Sequence, residues 1–359
     1  MATRLTTTAA VQVLLLFLIG GILGVSGRAE ARPASGGALI TGNRSLAAAA
    51  RVASHFRFFA PDSPWNVPLS PNAQLDPGSG GMVKVLGAEV EAAKTAGTGP
   101  WINTKRYSVP IYTVAAGQPT VRVQLEDHSP SLQAAFEAVP LPPAAEGAAG
   151  SDGELVIWQP SSDRLWEFWR FMRTPQGPQA SWGGAIRNVS TDSGTYGPEA
   201  WPDAEPWWGA SASSLSIAGG LITLRDLQAG EINHALALAV PEVRAGVYAS
   251  PAQRTDGKSQ SPLALPEGAH LRLDPDLDIA SLHLPRTTRL IAEAAQRYGI
   301  FVRDGSTVVQ FFAQDPVSTG TNPYEGANGF FEGKYPTQLL ASFPWRHLQL
   351  LKMELHPDE

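Results

Sequence analysis

Between residues 106 and 172 apolar and polar positions alternate in short runs, 106–114, 120–126, 154–159 and 165–172, each cut off by Pro or Gly. Alternation with a period of two sends successive side chains to opposite faces, so these runs are predicted strands. One pair can be registered. If residues 160–163 form a four-residue turn, Gln159 faces Arg164, Trp158 faces Leu165, Val156 faces Glu167 and Glu154 faces Trp169. One face then carries Leu155, Ile157, Trp166 and Phe168. The other carries Glu154, Val156, Trp158, Glu167 and Trp169. A slip of one residue would mix the two sets, so the clean partition selects this register.

The rhythm changes after residue 180. Residues 181–220 are rich in Gly, Ser and Trp and have little periodicity, which predicts a long irregular covering segment. Thr223 and Asp226 then form a capping-box pattern, and Gly230 follows as a stop, so a two-turn helix is predicted between them. The run 232–240 reads as a strand. Residues 286–298 return to helical spacing through Leu290, Ile291, Ala294, Ala295 and Tyr298, with Gly299 as the terminator. Runs 300–303 and 308–313 flank Asp304-Gly305-Ser306 and predict a hairpin. A short helix at 337–341 and a strand at 347–353 complete the expected order.

Strands outnumber helices and are joined by short turns. The predicted class is therefore mainly β, a jelly-roll-like β-sandwich with a few short rim helices, with an α+β fold as the alternative. The 35 Gly and 30 Pro fit this and exclude a coiled coil or helical solenoid.

The N-terminus reads differently. Arg4 precedes an apolar run at 11–23, and Ala29-Glu30-Ala31 has the A-x-A form of a leader-peptidase site. The run is interrupted by Gly20 and Gly21 and is shorter than the roughly 20 apolar residues of a membrane span. The expectation is a signal peptide at 1–31 cleaved after Ala31, a linker at 32–54 and one β-rich domain at 55–359. The protein is expected to be secreted or periplasmic, without stable membrane insertion after cleavage. Losing Arg4, Arg28 and Glu30 takes the formal charge from −6 to −7. That balance, without clustered Lys and Arg, argues against a nucleic-acid partner. The absence of Cys excludes disulfides, thiolate metal sites and a cysteine nucleophile.

Candidate chemistry centres on the registered hairpin. Glu154 and Glu167 form a diagonal cross-strand pair about 7–8 Å apart at the backbone, within reach of the roughly 5–9.5 Å carboxyl separations used in glycoside hydrolysis. Trp158, Trp169 and Trp182 would offer flat faces to sugar rings. A second reading, β-elimination on a uronate, draws on Arg122 and Gln124 to neutralise the carboxylate, with Tyr248 or His234 accepting the proton. Each set also has a plain structural reading: a solvated sheet face for the first, an exposed strand for Arg122 and Gln124, a core histidine for His234. No metal-ligand spacing, Walker pattern or G-x-S-x-G occurs, so neither metal nor cofactor is expected.

The chain also resembles a family of secreted bacterial proteins of unassigned function. The resemblance is carried by Ser63-Pro64-Trp65-Asn66, Glu167-Phe168-Trp169, Ile232-Asn233-His234-Ala235-Leu236, Pro266-Glu267-Gly268 and Tyr298-Gly299-Ile300, and it covers most of the mature chain. It implies export and a jelly-roll-like sandwich, but no catalytic assignment. Members of that family often carry His where this chain has Glu154 and Arg254. These readings converge on an exported carbohydrate-active protein whose partner is a polysaccharide or oligosaccharide. A hydrolase is expected ahead of a lyase or a non-catalytic saccharide-binding, envelope-associated module, with Arg254 added to the substrate-binding candidates.

Overall fold

The computed structural model describes residues 57–358; the expected signal peptide and the expected linker lie outside the described residues. The strands are β1 (Trp101–Asn103), β2 (Val109–Thr113), β3 (Gln124–Leu125), β4 (Leu155–Gln159), β5 (Arg164–Trp169), β6 (Met172–Thr174), β7 (Gly177–Ala180) and β8 (Trp182–Arg187). They continue with β9 (Leu236–Val240), β10 (Val247–Ala249), β11 (His270–Leu273), β12 (Ile300–Gly305), β13 (Gln310–Phe312), β14 (Gln314–Asp315), β15 (Leu348–Leu350) and β16 (Leu355–Pro357). The helices are α1 (Ser79–Ala96), α2 (Pro130–Ala135), α3 (Leu224–Ala229), α4 (Arg286–Arg297) and α5 (Pro336–Ala341). The class is β-rich α+β.

Two sheets dominate. The larger runs β1-β13-β9-β12-β11-β15 and the smaller β14-β2-β4-β5-β8. Both are mixed: β9 pairs parallel with β12, and β2 parallel with β4, beside antiparallel neighbours. The central strand β9, Leu-Ala-Leu-Ala-Val, is buried on both faces. Leu236, Leu238 and Val240 enter one core with Leu290 and Ile291 of α4, Leu86 of α1 and Leu339 of α5. Ala237 and Ala239 enter the other with Phe301, Phe312 and the smaller sheet. The alternating Leu and Ala thus send one face of β9 to the helices and the other to the core it shares with the smaller sheet. The helices α1, α4 and α5 cover a face of the larger sheet rather than its rim.

The hairpin predicted at 300–313 does not form. Strands β12 and β13 are present, but β9 lies between them and pairs with both. A strand apolar on both faces belongs at the centre of a covered sheet, and β9 takes that place.

Other local expectations are met at the atomic level. Thr223 accepts from the Asp226 N–H while the Asp226 carboxylate accepts from the Thr223 N–H, closing the capping box, and Gly230 ends α3 in the left-handed conformation. Gly299 (φ 89°) follows α4, where a Cβ would stand 2.2 Å from Nε2 of His270. The β4/β5 register is the predicted one, with Val156 opposite Glu167 and Trp158 opposite Leu165. Both faces of this hairpin are buried. Leu155, Ile157, Trp166 and Phe168 sit in the core on the side of α2, where Phe168 meets Phe136 and Trp166 donates to the Ala135 carbonyl. The Glu and Trp face turns inward toward the larger sheet.

Candidate functional site

A cleft of about 920 Å³ opens where the two sheets part. One wall is aromatic. Trp169 at the end of β5 lies directly across the ladder from Trp182 at the start of β8, and the Trp182 indole N–H donates to the Trp207 carbonyl at 3.2 Å. Trp207 remains 47% exposed. All three line the cleft, with Tyr107 and Phe312.

The floor is charged. Glu154, just ahead of β4, and Arg303, near the end of β12, meet with 3.6 Å between Oε1 and Nη2. Arg303 owes its position to a bulge. The β12/β9 register shifts between Val302 and Asp304, and an extra residue in one strand re-aims its side chain. The guanidinium is fully buried, lies 3.7 Å over the Phe312 ring and donates from Nε to Asp304 at 2.8 Å. Asp304 also accepts from the Ala212 N–H. Burial pushes the Glu154 carboxyl up to about 8, against the pull of Arg303. Its Oε2 is buried and has no hydrogen-bond partner among the described residues. Burial raises Asp304 as well, while Arg303 and the Ala212 amide hold it down.

Arg254 lines the cleft beside them and donates to the carbonyls of Gly209 and Ser211. Asp127, Asp152 and Asp256 complete the ionisable lining.

Of the residues singled out in the sequence, the cleft gathers Glu154, Trp169, Trp182 and Arg254. Glu167 shares the inward face with Glu154 but is fully buried and engaged elsewhere. One oxygen accepts from the Ala210 N–H at 2.9 Å, the other from the Ser216 hydroxyl at 2.7 Å and the Ile217 N–H at 3.0 Å. Glu167 is the anchor of the 210–217 loop, and the expected pairing of Glu154 with Glu167 across an open cleft is replaced by that anchoring. Trp158 is 7% exposed and packs edge-on against Phe58, so it is a core residue and not a cleft wall.

The remaining candidates lie apart from the cleft. His234 is buried against Asp226, with 3.2 Å between Nε2 and Oδ2. Arg122 is exposed and pairs with Glu137. Gln124 hydrogen-bonds Gln133 on α2. Tyr248 stacks on His356. Among the described residues, no group of three or more His, Asp or Glu is placed to hold a metal ion.

Sequence reasoning missed Arg303, Asp304, Asp152, Asp256 and Trp207. The available signal was Arg303 itself, an ionic residue continuing the apolar run Ile300-Phe301-Val302 into a strand end. A charge in such a position needs a buried partner. Asp304 was absorbed into a turn motif.

The chain matches no protein-family model, no curated protein and no solved structure.

Proposed function

We propose that this is an exported carbohydrate-active protein that hydrolyses a glycosidic bond in the cleft between its two sheets. The observation that carries the reading is Glu154. It is a carboxyl group kept protonated at neutral pH by burial, with one oxygen unpartnered among the described residues, on the floor of a tryptophan-lined cleft. A proton donor to a glycosidic oxygen needs a raised pKa and an oxygen not already committed to another partner. Glu154 supplies the proton, and Asp304, held by Arg303 and the Ala212 amide, supplies the second carboxylate. Glycoside hydrolysis requires such a pair of carboxyl groups. Trp169, Trp182 and Trp207 bind the C–H faces of the sugar rings.

The accompanying fold reading is a sandwich of the two sheets with a third, helical layer. It rests on their shared apolar core. The parallel pairings depart from the antiparallel ladder of a jelly roll. Export rests on the leader pattern at 1–31. No helix among the described residues is long and apolar enough to cross a membrane.

Tyr107 favours a second reading, a lyase. It lines the cleft, and the Arg106 guanidinium beside its hydroxyl, helped by Ser151, lowers its phenol pKa, as a proton acceptor requires. The acidic lining opposes this reading, since a uronate would meet carboxylates. The two separate in one screen. Polysaccharides are incubated with the protein, and reducing ends and the absorbance of unsaturated uronates are followed. Reducing ends without that absorbance, lost in Glu154→Gln and in Asp304→Asn, support hydrolysis. The unsaturated product, lost in Tyr107→Phe, supports elimination, and the absence of both products leaves saccharide binding alone.

A further inference from the structure

The lining of the cleft is lopsided in charge. Asp127, Asp152, Asp256 and Asp304 face it, against the single guanidinium of Arg254, while the Glu154 carboxyl is held neutral by burial. Arg303 lies beneath the floor, fully buried and engaged with Asp304. Arg254 is itself surrounded by acid: Glu267, Asp304 and Asp256 all act on it. Its outward field is correspondingly weakened, so the cleft presents negative potential to an entering ligand. Walls of low dielectric around one sign of charge focus that field.

Carboxylates alone would not identify a ligand site, but two further features do. The Glu154 side chain is 93% buried, since only 7% is exposed, and it lines the cleft with Oε2 unpartnered among the described residues. Leaving a buried polar atom without a partner costs roughly 1–3 kcal/mol, a cost removed by a ligand that carries a hydrogen-bonding group to that point. The second feature is the wall of Trp169, Trp182 and Trp207. Its rings attract both C–H faces and cations.

We infer that the cleft selects an oligosaccharide of amino sugars bearing free ammonium groups, over its neutral N-acetylated counterpart and over uronate polymers. This inference rests on the proposed saccharide cleft and assigns its substrate class. Asp152 and Asp256 face the ammonium groups, while the Glu154 carboxyl meets a neutral oxygen of the ligand. A uronate at the same place would set carboxylate against carboxylate, with only the acid-surrounded Arg254 to offset the repulsion.

The test is titration calorimetry on the protein at pH 6 and low ionic strength, with hexamers of glucosamine, N-acetylglucosamine and galacturonate. The expected result is binding of the glucosamine hexamer about tenfold or more tighter than the acetylated hexamer, a difference of about 1.4 kcal/mol, with galacturonate weakest. Raising the salt should narrow the preference, because screening acts on the charged term alone. The double variant Asp152→Asn with Asp256→Asn should lose most of the preference and keep its affinity for the neutral hexamer. Should that variant fail to fold, the salt titration of the unaltered protein decides the same point. Equal or tighter binding of the neutral or the acidic hexamer overturns the inference and leaves the saccharide cleft standing. No binding of any hexamer overturns both.

Discussion

Arg303 and Glu154 come from opposite sheets and meet 3.6 Å apart beneath the floor of the cleft, with neither side chain more than 7% exposed. The contact joins the layers, and its strength depends on the protonation of Glu154. An unfolded glutamate loses its proton near pH 4.5, whereas in the fold Glu154 retains it to about 8. Between those values the folded chain holds the extra proton. The stabilisation is complete below pH 4.5 and is lost as the pH rises toward 8, by at most about 1.4 kcal/mol per pH unit. Urea unfolding from pH 5 to 8 should show a steeper decline for the unaltered protein than for Glu154→Gln. Parallel curves would place the glutamate in contact with water.

Glu167 invites the opposite experiment. Its carboxylate receives the Ala210 and Ile217 amides and the Ser216 hydroxyl, and so ties β5 to the loop that edges the cleft. Removing the carboxyl leaves these buried donors unpaired, and each such group costs about 1–3 kcal/mol. Glu167→Ala should lower the melting temperature strongly. Glu167→Gln retains one acceptor oxygen and should lose less. A Glu167→Ala protein with unchanged melting temperature but no activity would return this residue to the catalytic role that its place in the hairpin first implied.

The contrast between these glutamates marks how far the sequence could be read. Alternation fixed the β4/β5 register and put Glu154 and Glu167 on one face, because a side-chain period of two depends only on neighbouring residues. Whether that face met water depended on the larger sheet, whose strands come from residues 101–350. For the same reason the capping box at Thr223 was legible and the partner of β12 was not: the cap spans three residues, whereas β9 pairs across more than sixty. The second carboxylate was hidden because Asp304 reaches the site through the bulge at Arg303, and a bulge leaves no mark in the alternation of the strand that contains it.

Burial on both faces changes what the two hairpin tryptophans should cost. Trp166 is 3% exposed and Trp158 7%. Each Trp→Ala substitution should therefore destabilise by about 3–5 kcal/mol, measured by chemical denaturation. A Trp158→Ala variant within 1 kcal/mol of the unaltered protein, itself a small effect for a buried aromatic, would mean that this indole lies on an open surface.

His234 lies away from the cleft but couples α3 to the start of β9. Its Nδ1 is 2.8 Å from the Ala235 carbonyl and its Nε2 is 3.2 Å from the Asp226 carboxylate, so both ring nitrogens face acceptors. Only the doubly protonated ring donates to both. Burial alone would lower its pKa; the Asp226 carboxylate, at hydrogen-bond distance, outweighs that and raises it above 6.5. A histidine whose folded pKa is raised contributes stability that is complete below the unfolded value and is lost as the pH rises through the folded one. The Asp226 carboxylate also accepts from the Thr223 amide and hydroxyl, so it keeps partners when the ring loses its proton. The cap should therefore survive while the link to β9 weakens. His234→Gln should flatten the fall in stability above pH 6.5 and leave α3 formed, and Thr223→Ala should cost about 1 kcal/mol at every pH. Amide exchange at residues 224–236, followed from pH 6 to 9, checks both. Protection that is unchanged across that range in the unaltered protein would show that the ring carries no proton to lose.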